Sequence, residues 1–225
     1  MGWKLYNPCE EWCSMTKVYF IRHGQSLANV AHRFAGHSDF PLSELGHAQA
    51  ACTAKHVMAV PFTAVYASDL SRAADTGAAV ARIKDLPLLT RQGLREIYAG
   101  EWEGRTFEEL ADNDDFRLWR QQIGLSCCTG GESVRQLQER VRMTVDDIVK
   151  THPGETICIA THATPIRVLE CLWTGVSLEH MHTIPWVSNA SVTVAEYDEN
   201  RVGRLISRDG HAHLGALSSD LPANV

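Results

Sequence analysis

Long apolar runs are missing from this sequence of 225 residues. None approaches the roughly 18 residues that a membrane-spanning helix needs, and the start MGWKLYNPCEEWCSM has neither the basic beginning nor the apolar middle of a secretory signal. Positive charge is also scarce, because 21 Lys and Arg face 27 Asp and Glu, which gives a formal net charge of −6. We therefore expect a cytoplasmic protein that partners neither nucleic acid nor a membrane surface.

A complete cysteine pattern is missing as well. Seven cysteines are an odd number, which speaks against a disulfide framework. Cys9 and Cys13 meet no second Cys/His pair at a spacing that would complete a metal site. Cys158 and Cys171 lie in apolar runs and are interpreted as small core residues. We expect reduced thiols and no metal.

No linker rich in Pro, Gly or Ser divides the chain, and no internal repeat is present. The length suits one domain with a sizeable core. We predict that domain over 15–208, with a lid-like insertion over 97–131 and a loose tail over 209–225. Residues 1–14 have no clear pattern; they are an extension of uncertain role, or they follow from a start codon wrongly chosen upstream of Met15.

Strand and helix patterns alternate along the chain. Such alternation is typical of an α/β fold, and we predict a three-layer α/β/α sandwich with a mostly parallel central sheet. Strands are predicted at 17–21, 64–68, 86–89, 156–161, 191–197 and 203–208, and helices at 44–60 (capped by Ser43), 71–83, 132–150 and 164–173.

Three predicted strands end in residues that suit an anion. The first runs directly into Arg22, His23 and Gly24, the second is followed by Arg72 in the first turn of a helix, and the central strand TICIAT ends beside His162. In open α/β sheets, ligands bind outside the carboxyl ends of the strands. Two arginines and two histidines are therefore expected to meet at one edge of the sheet.

These residue types match the needs of phosphoryl transfer. A phosphomonoester dianion requires positive charge on its equatorial oxygens and an in-line nucleophile. Arg22 and Arg72 offer planar forks for pairs of phosphate oxygens, and neutral His23, with one nitrogen fixed by a backbone carbonyl, can attack with the other. His162 would donate to a phosphate oxygen, and Gly24 would let the backbone approach the phosphate closely.

Four motifs in this order, RHGQSLAN, SDLSRAADT, LREIYAGEWEG and THATPIR, resemble the histidine phosphatase superfamily, the phosphoglycerate mutase-like proteins. The resemblance covers about residues 16–208. It implies the phosphoglycerate mutase-like version of the sandwich, with His23 as the nucleophile. It also implies that Glu96 donates a proton to the leaving group and then activates water, although Glu101 and Glu103 are rival carboxylates.

The same resemblance implies further contacts to the phosphate. Asn29 would donate its side-chain amide, and Ser26 and Gly36 would also line the site. Ala163 stands where many relatives have glycine, and its backbone N–H can serve as a ligand if its φ is an ordinary negative one. The predicted catalytic set is thus Arg22, His23, Arg72, Glu96 and His162, with Ser26, Asn29, Gly36 and Ala163 as additional substrate contacts.

The segment after Glu96 favours the phosphatase branch. Mutases of the superfamily carry a Glu-Arg-His-Tyr-Gly run and a basic insertion, whereas Glu96 is followed here by Ile-Tyr-Ala-Gly and by seven acidic residues within 101–115. Only Arg105, Arg117 and Arg120 supply cations in 97–131. The first alternative is a cofactor-dependent mutase-type phosphotransferase, and the second is a phosphate-binding protein without turnover.

The expected substrate is a small phosphorylated metabolite, bound without metal or cofactor. Sugar phosphates, phosphoglycerates, nucleotide-precursor phosphates and phosphoamino acids all remain open, as does the oligomeric state, a homodimer included. Four aromatic residues between Glu96 and the next long helix either pack on an apolar leaving group or belong to the core: Trp102, Phe107, Phe116 and Trp119.

Overall fold

A six-stranded sheet organises the part of the chain that the structure, a computed structural model, describes: residues 15–219. The strand order is β3-β2-β4-β1-β5-β6, with parallel pairing from β3 to β1 and antiparallel pairing of β5 with both of its neighbours. The predicted extension 1–14 lies outside the described residues, as do 220–225. The strands are β1 (Thr16–Arg22), β2 (Ala64–Ala67), β3 (Leu88–Thr90), β4 (Thr156–Thr161), β5 (Val192–Tyr197) and β6 (Gly203–Gly210).

Helices cover both faces of this sheet, which confirms the predicted α/β sandwich. Their start signals are visible in the sequence: Ser43 accepts a hydrogen bond from the Gly46 N–H (3.0 Å), and Ser133 forms a capping box with Gln136. The helices are α1 (Leu27–Val30, a single turn), α2 (Glu44–His56), α3 (Ser71–Lys84), α4 (Asp114–Gln122), α5 (Val134–Lys150) and α6 (Ala163–Thr174).

Alternation along the central strands divides the core into two layers. Val18 and Phe20 of β1 belong to the cluster that α5 and α6 cover, whereas Ile21 belongs to the cluster that α2 and α3 cover. In β4, Ile159 and Cys158 are divided in the same way. Successive side chains of a strand point to opposite faces, so a strand buried on both faces is apolar throughout.

The predicted insertion 97–131 contributes side chains to the first of these layers. Trp102 and Phe116 are buried, at 0% and 2% exposure. Both rings pack edge-on against Phe34, with centroid distances of 5.4 and 6.3 Å. The sequence left open whether the aromatic residues of this segment belong to the core, and Trp102 and Phe116 do.

The described part of the predicted tail, 209–219, is packed rather than loose. It completes β6 and continues as a short 3-10 helix, Ala212–Leu217, against α2. Leu214 is buried, and His213 stacks on His56 (4.3 Å between centroids) while its Nε2 lies 2.8 Å from Thr53 Oγ1. Among the described residues, no helix is long and apolar enough to cross a membrane.

Candidate active site

The register of three parallel strands brings the predicted residues to one edge of the sheet. Arg22 pairs with Thr161 at the ends of β1 and β4, and the His23 N–H donates to the Thr161 carbonyl (2.9 Å). Beyond these ends, the rings of His23 and His162 lie edge to face, 5.1 Å between centroids. We call Arg22, His23, Arg72 and His162 the sheet-edge cluster; all four are at most 5% exposed.

His23 is held in the tautomer that a nucleophile requires. Its Nδ1 lies 2.7 Å from the Gly24 carbonyl oxygen. Because a carbonyl only accepts, Nδ1 carries the proton, and Nε2 keeps its lone pair. Burial, reinforced by the charges of Arg72 and Arg22, holds the pKa of His23 well below its usual value, so the ring is neutral near pH 7.

The His162 ring has a hydroxyl partner, not a carbonyl. Its Nε2 lies 2.9 Å from Ser68 Oγ, and Ser68 Oγ also accepts the Leu70 N–H (3.3 Å). A serine hydroxyl has one donor and two acceptor sites, so Ser68 can donate its proton to Nε2, and the proton of His162 is then on Nδ1. Nδ1 is buried without a protein partner, and burial, with the Arg72 charge second, lowers the pKa of His162 well below its usual value.

Each arginine of the cluster is anchored at one side and unpaired at the other. Arg72 donates to the Gly36 carbonyl (2.8 Å) and the Ser38 carbonyl (3.0 Å), and Arg22 donates to the Val187 carbonyl. Both Nε–H groups are buried without a partner. Burial lowers the pKa of Arg22 to about 10, opposed chiefly by the Glu96 charge, so both guanidinium groups are charged at neutral pH and open to an anion.

Glu96 lines the cleft beside the cluster, and its rivals do not. Its carboxylate accepts from the backbone N–H groups of Ile97 (2.9 Å) and Thr164 (3.3 Å), the latter in the first turn of α6. Glu103 is instead occupied by the N–H groups of His37 and Ala99 and by the Ser38 hydroxyl. Glu101 is exposed and outside the cleft lining.

His37, which the sequence gave no reason to place near the site, is half-buried and helps to hold Glu96. Its Nε2 lies 2.9 Å from the Glu96 carbonyl oxygen. Burial, opposed by that bond, lowers the pKa of His37 below its usual value. This histidine is thus partly withdrawn from solvent and in contact with the backbone of Glu96.

Asn29 and Ser26 both line the cleft, but they differ in which of their hydrogen-bonding groups remain available. The Asn29 carbonyl oxygen accepts from the Ser26 N–H (3.0 Å) and hydroxyl (3.1 Å) and from the Asn189 amide (3.3 Å). An amide held through its oxygen presents its NH₂ as a donor. The predicted contact between Asn29 and phosphate requires such a donor. The Ser26 hydroxyl is engaged with Asn29 on both its donor and acceptor sides, so it positions Asn29.

Gly36 and Ala163 complete the lining near the cluster. Gly36 has a φ of +51°, and a Cβ there would press on Ala99 and Glu103, so glycine is required for the turn that offers its carbonyl to Arg72. Ala163 is the first residue of α6, and its φ is not positive. The alanine therefore causes no strain at a helix start, where free N–H groups favour anions.

Gly24 lies where a helix packs closely against the end of β1, and its predicted approach to phosphate stays a prediction. Its N–H donates to Thr76 Oγ1 (3.1 Å), and a Cβ on it would overlap the carbonyl oxygen of Gly46 in α2. The missing side chain thus leaves room for the start of α2. The sequence shows the glycine, but only the packing shows which neighbour needs the space.

The cleft extends beyond the cluster into an apolar region. It is open to solvent, and polar and apolar side chains line it together, as is usual for small-molecule sites. We call its four large apolar side chains the aromatic wall: Phe34, Phe107, Trp119 and Trp186.

Comparisons with known proteins agree with this geometry. The model of the histidine phosphatase superfamily (branch 1) matches residues 18–207. The chain belongs to this superfamily. The resemblance given by the four motifs is thereby confirmed.

Three relatives show how varied the superfamily is. Phosphoserine phosphatase 1 of Hydrogenobacter thermophilus is 30% identical over 83% of this chain and 89% of its own. A probable phosphoglycerate mutase of Yersinia pestis is 29% identical over 83% of this chain and 87% of its own. The solved structure of a mycobacterial glucosyl-3-phosphoglycerate phosphatase has a TM-score of 0.80 at 26% identity, covering 87% of this chain and 99% of that one.

Several supporting residues were not predicted. Ser68 lies inside the quoted SDLSRAADT motif, and only the contact with His162 reveals its importance. Asn189 donates to the His23 carbonyl (3.2 Å). Both Asn189 and Trp186 lie in the loop before β5. No local pattern marks that loop, because its place beside the cluster results from the antiparallel return of β5 along β1.

Proposed function

We propose that this protein is a phosphomonoester hydrolase that acts on a small phosphorylated metabolite through a phosphohistidine on His23, without a metal. One observation carries the proposal. The Nδ1–H of His23 is fixed by the Gly24 carbonyl at 2.7 Å, which leaves Nε2 free for attack between two guanidinium groups with unpartnered Nε–H groups.

The chemistry takes two steps on one site. In the first, His23 Nε2 forms a bond to phosphorus while the ester P–O bond breaks, and Glu96 gives its proton to the departing alcohol oxygen. In the second, Glu96 takes a proton from water, the hydroxyl oxygen bonds to phosphorus, and the N–P bond breaks to release phosphate. Arg22, Arg72 and His162 Nδ1–H hold the equatorial oxygens as charge shifts among them.

The same cations explain why no metal is proposed. In many phosphoryl-transfer enzymes Mg²⁺ neutralises the phosphate oxygens. Here two buried guanidinium groups can take that part, and bidentate N–H donors suit phosphate geometry. Among the described residues, no three His, Cys, Asp or Glu side chains stand together at metal-binding geometry.

The residues that line the cleft beyond the sheet-edge cluster favour hydrolysis over mutase chemistry. A mutase has to hold an acceptor that is itself anionic. In the described part of the cleft lining, the only ionisable side chains outside the cluster and Glu96 are His32 and Arg33. Arg33, which also donates to the Gly104 carbonyl, is the one permanent cation that this described lining adds, less positive charge than a basic subsite for a second anionic group would carry.

Labelling of the protein tests the proposal directly. The protein is mixed with a ³²P-labelled phosphomonoester in EDTA, quenched in alkali, in which phosphohistidine survives, and digested for peptide mapping. We expect label on His23 and steady release of phosphate, with neither in His23→Ala. Label without release would indicate a binding protein, and phosphate passed to 3-phosphoglycerate rather than to water would indicate a mutase. Activity that vanishes in EDTA and returns with Mg²⁺ would contradict the metal-free mechanism.

A further inference from the structure

The aromatic wall lines the same cleft as Arg22, His23 and Arg72 of the sheet-edge cluster, so it borders the place where the proposed phosphate binds. Phe34 and Trp119 are mostly buried, at 9% and 4% exposure, and their rings meet edge to face with centroids 5.3 Å apart. Phe107, 6.5 Å from Phe34, is half-buried. These rings are fixed by the core behind them, so the surface that they offer is preformed.

Trp186 closes the wall from the loop before β5, and a buried cation holds it. The guanidinium carbon of Arg167 lies 3.9 Å from the Trp186 ring centroid. Arg167 is 2% exposed and also donates to the carbonyls of Ile184 (2.6 Å) and Met181 (3.1 Å) in the same loop. One residue of α6 thus fixes both the backbone of this loop and the indole, which cation–π attraction favours.

We propose that the aromatic wall is the subsite for the leaving alcohol, and that this phosphatase prefers monoesters whose alcohol carries an apolar, ring-sized group next to the ester oxygen. The proposal rests on the proposed function. Apolar surface that stays open to water is unfavourable, and this surface is continuous with the reaction site, so the group that covers it during turnover is the organic part of the substrate.

The expected size of the substrate preference depends on the apolar area that a bound ring would bury. Filling an apolar pocket with one ring-sized group is typically worth tenfold or more in specificity. We expect kcat/KM for benzyl phosphate to exceed that for glycerol 1-phosphate by about 10- to 100-fold. Both substrates release a primary alcohol, so the comparison keeps the need for an acid nearly constant.

The wall is tested through the ratio of these two kcat/KM values. In Trp186→Ala we expect the ratio to fall about tenfold, and Leu118→Ala, which removes an exposed side chain of α4 outside the cleft lining, should keep the wild-type ratio. Should Trp186→Ala fail to fold, Phe107→Ala is measured in its place with the same expectation.

The outcomes separate this proposal from the proposed function. Hydrolysis of both esters with no preference for the benzyl ester, or an unchanged ratio in the folded wall variant, would overturn the subsite while leaving the phosphatase intact. Absence of turnover with both esters and of label on His23 would instead contradict the phosphatase. A wild-type preference that falls only in the wall variants supports the subsite.

Discussion

The two histidines of the sheet-edge cluster differ in the partner that holds each ring, and this difference suits the two roles proposed for them. A carbonyl fixes the proton of His23 on Nδ1 (2.7 Å), whereas His162 Nε2 lies 2.9 Å from a hydroxyl, which can donate as well as accept. The ring of His23 therefore presents a lone pair, and the ring of His162 can present an N–H. Both stay neutral because they are buried between the charges of Arg22 and Arg72.

The lowered pKa values predict how stability depends on pH. Below about pH 6.5 the unfolded chain protonates both histidines while the native state does not, so the unfolded state binds more protons. The free energy of unfolding should therefore fall as the pH is lowered from 7 to 5, by up to about 1.4 kcal/mol per pH unit for each histidine. Urea unfolding at several pH values measures this, and His23→Gln should make the slope shallower. An equal slope in both proteins would contradict the assignment of a buried neutral ring.

The acid is tested by varying the leaving group. In Glu96→Gln we expect turnover of an alkyl phosphate to fall by about 10²- to 10³-fold, because its alcohol needs a proton as the P–O bond breaks. Nitrophenolate leaves unassisted, so with nitrophenyl phosphate the first step should be spared and slow release of phosphate from His23 should appear as a burst. Glu101→Gln, an exposed neighbour outside the cleft, is the control and should match the wild type. Equal slowing of both esters without a burst would argue against Glu96.

At the scale of elements, the close approach of α2 to the end of β1 is what places His23. A Cβ on Gly24 would overlap the Gly46 carbonyl oxygen, and a Cβ on Gly46 would overlap the Gln25 carbonyl oxygen. Thr76 of α3 binds the Gly24 N–H from another side. The backbone carbonyl that orients His23 is therefore itself held by two helices.

Gly24→Ala should consequently cost both stability and activity. A methyl group there would overlap the Gly46 carbonyl, and overpacking of this kind costs about 3 kcal/mol. We expect a lower melting temperature and a loss of kcat as the Gly24 carbonyl moves away from Nδ1. Gly210→Ala, where the nearest atom to a new Cβ is the Val192 oxygen at 3.3 Å, is the matched control and should change little. A wild-type melting temperature in Gly24→Ala would refute this account of the contact.

The elements also show which features a sequence can specify. Strand alternation and N-caps are local, so β1, β4 and the starts of α2 and α5 could be predicted from side-chain periodicity and from Ser43 and Ser133. The cluster residues could be predicted because each lies at the end of a strand or soon after it, Arg72 in the first turn of the helix that follows β2. Trp186 and Asn189 could not, since their places depend on pairing between distant strands. β3 begins at Leu88 rather than at residue 86, because only residues opposite β2 join the ladder.

At the scale of the whole molecule, the C-terminal segment is tied to the catalytic edge through α2. Gln49 Nε2 donates to the Leu217 carbonyl (2.8 Å). Thr53 Oγ1 donates to the Ala190 carbonyl (2.8 Å), and the Ala190 N–H donates to the His23 carbonyl (3.2 Å). These hydrogen bonds thus connect the 3-10 helix Ala212–Leu217 to His23 through α2 and Ala190.

A chain that ends at Gly210 should therefore be less stable. It loses buried Leu214 and the hydrogen bonds to Gln49 and Thr53, and removal of one buried leucine alone costs about 2–5 kcal/mol. We expect a fall of about 3 kcal/mol in the free energy of unfolding, measured in urea. A chain that ends at Ser219 keeps these contacts and is the control. Equal stability of the two shortened chains would show that the segment does not support the fold.

The strand order also determines when the site can exist during synthesis. β1 is the first strand to leave the ribosome, yet it lies between β4 and β5, which are made more than 130 residues later. Pairings so distant along the chain are typical of folding in milliseconds to seconds rather than microseconds. Until β4 and the loop before β5 have been translated, His23 lacks His162, Asn189 and the Ala190 N–H. A nascent chain therefore carries His23 long before its partners surround it, and the proposed phosphoryl transfer requires that nearly the whole domain has emerged.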